Sequence, residues 1–265
     1  MTAVRAQRRP AVRLFFAMGA EVVPYVLFVV ALVAIWWLLV ALNVTSEFLL
    51  PSPPSVADEL GTVVAAQATW SAVGTTIIEI VAAFGMAAIA GTLFGIPIGW
   101  YRTLRGAYEP LLGNLYAVPL IVLYPVFALA LGLGSTSKIV FGAVYGFFPV
   151  AIATVAGVAI VNPVLVTAGR SMGARRLSLL RTIIIPAALP EITSGLRLGL
   201  VLVTLAVIGG EFIGGDAGLG YLLATAGQAF LTSEMFAYMI VTVCVAAALN
   251  TVLAIATQIP RRRSH

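Results

Sequence analysis

AGRSMGARRLSLLRTIIIPAALP, residues 168–190, packs Arg170, Arg175, Arg176 and Arg181 into twelve positions of a chain that is 61% hydrophobic and 9% charged. Pro163 and Pro190 bracket the region. What lies between is too polar to cross a bilayer and too apolar to be a slack linker. On a helical wheel over 175–185, Leu177, Leu180 and Ile184 share one face, widened by Leu179 and Ile183. Arg175, Ser178, Arg181 and Thr182 take the other, and Arg176 intrudes on the apolar arc. This predicts an amphipathic helix. Gly173-Ala174 interrupts the pattern just before it, and Gly there permits a sharp turn. A short helix near 164–172, a small-residue turn and a second helix therefore form a compact knob. Two readings of it compete: an interfacial helix with arginines on lipid head groups, and a docking surface for a soluble partner. The small-residue tip favours docking, because lipid binding does not require it.

Working outward, the 265 residues carry fifteen basic and ten acidic side chains and a mean hydropathy of +1.08. Soluble domains carry about a quarter charged residues, so this composition cannot coat a globule and points to an integral membrane protein. The sequence pI of 9.7 does not argue for nucleic acid, because the arginines sit at the ends of apolar runs. One cysteine, Cys244, excludes an internal disulfide, and its apolar surroundings predict a small buried hydrophobe. The only histidine is His265, so no metal site, Ser-His pair or Cys-His pair can be assembled around histidine inside the chain. No catalytic residue and no metal ligand is expected, and a membrane enzyme is disfavoured.

A hydrocarbon core needs about 20 apolar residues per helix. Six spans are expected, at 22–43, 76–100, 112–132, 139–161, 191–213 and 235–258, with Pro97, Pro119, Pro125 and Pro149 kinking some of them. The organisation is then a segment 1–21, a first span 22–43, an outer connector 44–75, a core 76–258 containing the loop 162–190, and a tail 259–265. In the connector, "LPSPPSVADEL" predicts a short helix over 56–66 with Ser55 as N-cap. Arg5, Arg8, Arg9, Arg13, Arg102, Arg105, the four loop arginines and Arg261, Arg262 and Arg263 fall on one side. Arg197 is expected to snorkel there too, leaving Lys138 alone on the other. Positive charge marks the cytoplasm, so both termini are expected to be cytoplasmic, and a retained first helix is favoured over a cleaved leader.

The ordered features resemble those of bacterial ABC-importer permeases of the nitrate, sulfonate and taurine group, from about residue 48 to 258. The cytoplasmic loop of that family reads E-A-A, three residues, G-A, a variable stretch and a hydrophobic-Pro pair. Here Val166-Thr167-Ala168 replaces E-A-A, Gly173-Ala174 matches G-A, and Ile185-Pro186 matches the closing pair. "EPLLGNLYAVPLIVLYPVFALALGLG", "GLRLGL" and "GGEFIGGDAGLGYLL" agree in order and spacing. The resemblance implies an all-α, six-span type I permease in the bacterial inner membrane, with a coupling helix between spans 4 and 5. It implies a homodimer, two cytoplasmic ATPase subunits holding ATP and Mg, and an extracytoplasmic solute-binding protein. It places the ATPase-coupling contact at Ala168, Arg170, Gly173, Ala174, Arg175, Arg176 and Pro186. No G-x-x-x-x-G-K-[ST] occurs, and Lys138 in "GLGSTSK" is the only lysine. This chain therefore needs no cofactor of its own, and nucleotide belongs on a second chain. The competing function is an ATP-independent transporter or channel, which needs no docking knob.

Pathway candidates are fewer. Glu79 lies inside a span, where a carboxylate is expensive, and reads equally as a structural acid and as a pathway residue. Glu211 matches the acid that the family carries before its Gly-rich outer segment, which favours a functional role, whether shaping the outer gate, pairing with a neighbour or meeting substrate. Tyr124 and Phe127, beside Pro125, either line a gate or pack the core, and packing is the commoner fate. Gly91, Gly95 and Gly99 recur every four residues, as closely packed membrane helices require.

Overall fold

The computed structural model describes residues 11–258, with side chains from Val23 onward except those of Tyr25 and Gln258. Arg5, Arg8, Arg9, the tail arginines and His265 lie outside the described residues. Everything regular in it is helical. In order these are α1 (Ala11–Ala41), α2 (Pro53–Ala65), α3 (Gln67–Trp100), α4 (Arg102–Tyr116), a 3-10 turn (Leu120–Leu123), α5 (Tyr124–Leu131) and α6 (Ser135–Ala159). Then come α7 (Pro163–Ser171), α8 (Arg176–Leu179), a π turn (Leu180–Ile184), α9 (Ile185–Gly214), α10 (Leu219–Gln228) and α11 (Thr232–Gln258). Four rods are long and apolar enough to cross a bilayer: 67–100, 135–159, 176–214 and 232–257. A fifth crossing is available if α4 and the 120–131 segment count as one bent span, and α1 contributes a shorter apolar stretch, Val26–Ala41.

The helix α6 is the axle, packed between α3 and α9 and the most buried of the four rods. Small residues permit this. A Cβ added at Gly91 would sit 2.7 Å from Val150 Cβ, one at Gly95 2.9 Å from Ala151 O, and one at Gly99 2.7 Å from Val155 O. Backbone therefore lies on backbone along the whole seam, and the four-residue glycine stripe is a packing device. Ile80, Ala83, Ala87, Leu200, Val203 and Val207 close the core on the other side. The α11 rod touches α2 and α10 through Val63, Ala226, Ala237 and Tyr238 and is otherwise largely bare. Cys244 lies on it and is exposed, against the expected burial, because α11 meets its neighbours mainly along one side.

The helix α1 starts at Ala11 rather than 22 and α6 runs over 135–159 rather than 139–161; four further boundaries differ from expectation, each for a local reason. The third span is not one helix over 112–132. It breaks at residues 117–119, and its two parts meet at 76°. Pro119 has no N–H and disfavours helical backbone in the residue before it. The second span starts at Gln67 rather than 76, since Ser71 O takes the Thr75 hydroxyl at 3.2 Å and Thr76 finds a buried partner of its own. The connector helix starts at Pro53, with Ser52 as its N-cap in place of Ser55. Pro53 and Pro54 occupy the first turn, where missing N–H groups cost nothing, and the Ser52 hydroxyl accepts from Ser55 N–H at 3.4 Å. The fifth span does not start at 191. The loop helix runs into it, so that 176–214 is a single rod. Ile185 N–H donates to Leu180 O, a five-residue step that widens the helix ahead of Pro186, where an ordinary turn would clash with the proline ring.

Candidate functional site

Two clusters of the singled-out residues emerge, one at each end of the bundle. The first is the turn between α7 and α8. Asn162 opens α7, its side-chain oxygen accepting from Val164 N–H at 2.9 Å, with Pro163 next in line. The helix closes on Gly173 at φ +80°, a left-handed conformation that L side chains resist. Gly173 N–H donates to Arg170 O at 2.9 Å and Ala174 N–H to Gly169 O at 3.0 Å. That paired closure satisfies the last carbonyls of the helix. A Cβ at Gly169 would strike Leu179 and Ile183, so α7 lies directly on the next helix. At Gly173 it would meet nothing within 4 Å. One glycine serves packing and the other leaves an open tip.

Ala168, Arg170, Gly173, Arg175 and Arg176 surround this tip and are exposed, with Ala174 half-buried. Pro186 does not join them and lies ten positions further along the rod. The predicted apolar face is altered too. Leu179 and Ile184 are buried, Leu180 and Ile183 half-buried, but Leu177 is 58% exposed. The five-residue spacing of Leu179 and Ile184 is what the π turn places on one side, and this rotates Leu177 out. Arg197 does not simply snorkel. Its Nε and Nη2 bond Thr257 Oγ1 at 2.8 and 2.6 Å, tying the rod to α11.

The second cluster sits at the opposite end, where α3, α6, α9 and α10 converge. Lys138 Nζ lies 2.9 Å from Glu79 Oε1 with both side chains sealed from solvent, and 3.5 Å from Oδ1 of the exposed Asp216. It also donates to Ala217 O at 3.3 Å. Beside it, Glu211 Oε1 accepts the Thr76 hydroxyl at 2.7 Å and Oε2 accepts Gly220 N–H at 2.8 Å. Thr76 Oγ1 in turn accepts Leu219 N–H at 2.9 Å. The free N–H groups at the start of α10 are thereby met by side chains of two other helices. The glycines of "GGEFIGGDAGLGYLL" make room for this. Gly218 turns at φ +101°, and any Cβ there would fall on the Glu211 carboxylate.

Within one chain, then, Glu79 and Glu211 are staples between helices. Tyr124 is buried against Phe141 at a ring separation of 5.4 Å, and Phe127 packs on the same ring at 5.4 Å. Tyr124 Oη has no hydrogen-bond partner among the described residues. Sequence reasoning missed Lys138 as the partner of Glu79. The available signal was its isolation: the lone cation on the wrong side of a strongly polarised chain needs a nearby acid. No group of three or more His, Cys, Asp or Glu arranged for a metal occurs among the described residues.

The family described as "Binding-protein-dependent transport system inner membrane component" matches residues 87–264. The taurine transport system permease protein TauC of Escherichia coli (strain K12) is 33% identical over 211 residues, covering 78% of this chain and 77% of that one. The riboflavin transport system permease protein RibX of Chloroflexus aurantiacus is 31% identical over 205 residues, covering 77% and 76%. Among solved structures, an inward-facing conformation of the MetNI methionine ABC transporter superposes with a TM-score of 0.58 at 17% identity, covering 73% of this chain and 94% of that one.

Proposed function

The chain belongs to the binding-protein-dependent transport system inner membrane components and is a permease subunit of an ABC importer; from that premise we propose how it works. Six spans cross the inner membrane: the four long rods, the bent third span and α1. Both termini are cytoplasmic. The chain pairs with a copy of itself, and the knob at 162–190 seats on a separate ATPase that holds ATP and Mg. A binding protein delivers a small solute to the outer face. The relatives named for taurine and for riboflavin are 33% and 31% identical over similar lengths, so the chain shares a transport scaffold with carriers of unlike solutes, and selectivity rests largely with the binding protein.

The observation that carries the docking reading is the open tip at Gly173, set on a helix that runs without a sharp break from Arg176 to Gly214. Closure of the ATPase pair moves the tip, and the rod moves with it, exchanging inward-open for outward-open states. The helices α3, α6, α9 and α10, pinned together by Glu79–Lys138 and Glu211–Thr76, follow as one body. Ala168, Arg170, Ala174 and Arg175 frame the contact, and the wide turn ahead of Pro186 keeps the rod continuous behind it. Glu79, Tyr124, Phe127 and Glu211 shape the outer end without binding solute themselves. Co-expression with the cognate ATPase tests this. Gly173→Arg should release the ATPase during purification, and Gly173→Trp should leave ATP hydrolysis but abolish uptake. Normal uptake by both variants would remove the docking reading.

A further inference from the structure

Arg176 is the loop arginine that broke the amphipathic pattern, and the structure gives it a different setting from its neighbours. It borders a groove of about 300 Å³ with Ile96, Pro97, Trp100, Tyr101, Leu177 and Leu180. The lining is almost entirely apolar. Two long rods end at this level, α3 at Trp100 and the 176–214 rod at Arg176. A bilayer's head groups lie at the height where its spans stop, and Trp and Tyr collect there. The guanidinium has no carboxylate within 4.0 Å among the described residues. Leu177 and Tyr101, 58% and 49% exposed, leave the groove open sideways.

From this juxtaposition we propose that the groove holds one acyl chain of an anionic phospholipid, with its phosphate on Arg176. The apolar walls suit a hydrocarbon tail, which a free phosphate or a soluble subunit's polar surface does not supply. The single cation at the rim suits the head group. Arg181 is not among the residues that line this groove. The inference rests on the membrane placement of the rods and not on ATPase docking.

Native mass spectrometry of the full-length permease in detergent, titrated with dioleoylphosphatidylglycerol or dioleoylphosphatidylcholine, tests it. The wild type should retain the glycerol lipid about fivefold more tightly, the factor expected for one arginine near a lipid surface. Arg176→Gln should erase that preference, Arg176→Lys should restore it, and Arg181→Gln should leave it intact. Inorganic phosphate should not displace the lipid. Leu180→Trp, which fills the groove, should weaken both lipids. Equal retention of the two lipids by wild type, an unchanged preference in Arg176→Gln, or displacement by phosphate alone would overturn the proposal. Loss of the ATPase from Arg176→Gln with lipid retention unaltered would overturn it equally, by assigning the residue to the protein partner.

Discussion

At the scale of single residues, the buried pair Glu79–Lys138 makes the sharpest claim. Removing one partner leaves an uncompensated charge inside the protein, which costs about 3–5 kcal/mol. Lys138→Met and Glu79→Gln should each lower the thermal unfolding midpoint of the purified permease clearly. The double variant should recover most of the loss. If the two losses simply add, the pair is not coupled in solution. Gly173→Ala adds a left-handed L residue at a tip with empty space around it, so its effect should be confined to about 1 kcal/mol of backbone strain. How much of this was legible differs by residue. Glu79 stood out because a carboxylate in a span demands a reason, and Gly173 because it interrupted a helical wheel. Lys138 did not stand out as its partner, since 59 positions separate the two and only the fold brings them together. Leu177 was misplaced because the wheel assumed 3.6 residues per turn through a stretch that takes a wider one.

At the scale of elements, α3 carries two populations of glycine. Gly91, Gly95 and Gly99 face the α6 backbone, whereas Gly74 and Gly85 have nothing within 4 Å of an added Cβ. Gly95→Ala should destabilise by about 1–3 kcal/mol through overpacking. Gly74→Ala and Gly85→Ala should be neutral or stabilise by up to about 1 kcal/mol through helix propensity. Thermal denaturation of detergent-solubilised protein, followed by size-exclusion chromatography, separates the two classes. A uniform response along α3 would refute the seam. The stripe itself was readable, because four-residue spacing in a membrane helix has one common cause. The ends of the elements were not. Pro190 read as a stop signal, yet it sits inside the rod, and its carbonyl takes the hydroxyls of Thr193 and Ser194 at 2.8 and 3.0 Å. Pro119 did break its span, where only a kink was expected. Whether a proline ends, bends or joins a helix depends on how the neighbouring turns adjust, and a single sequence does not display that.

At the scale of the whole molecule, the placement of fourteen of fifteen basic residues predicts which end faces the cytoplasm. In a Cys244→Ala background, a membrane-impermeant maleimide should label Ser55→Cys in intact cells and label Arg175→Cys only after the membrane is opened. The reverse pattern would invert the topology and with it the docking of any ATPase at Gly173. The membrane class and the polar knob at 162–190 were visible early because charge and hydropathy are one-dimensional properties. The way α6 threads between α3 and α9 was not, since it depends on close approaches between distant glycines. The π turn has one further consequence. Without it, Pro186 would put a hinge between the knob and the fifth span. With it, the 39 residues from Arg176 to Gly214 act as a lever about 58 Å long. A tilt of about 10° at its knob end would swing its far end by about 10 Å. The wide turn is therefore the place where gearing is set: shortening it by one residue would turn the knob about 100° relative to the bundle, and a push in the right direction would arrive as a twist in the wrong one.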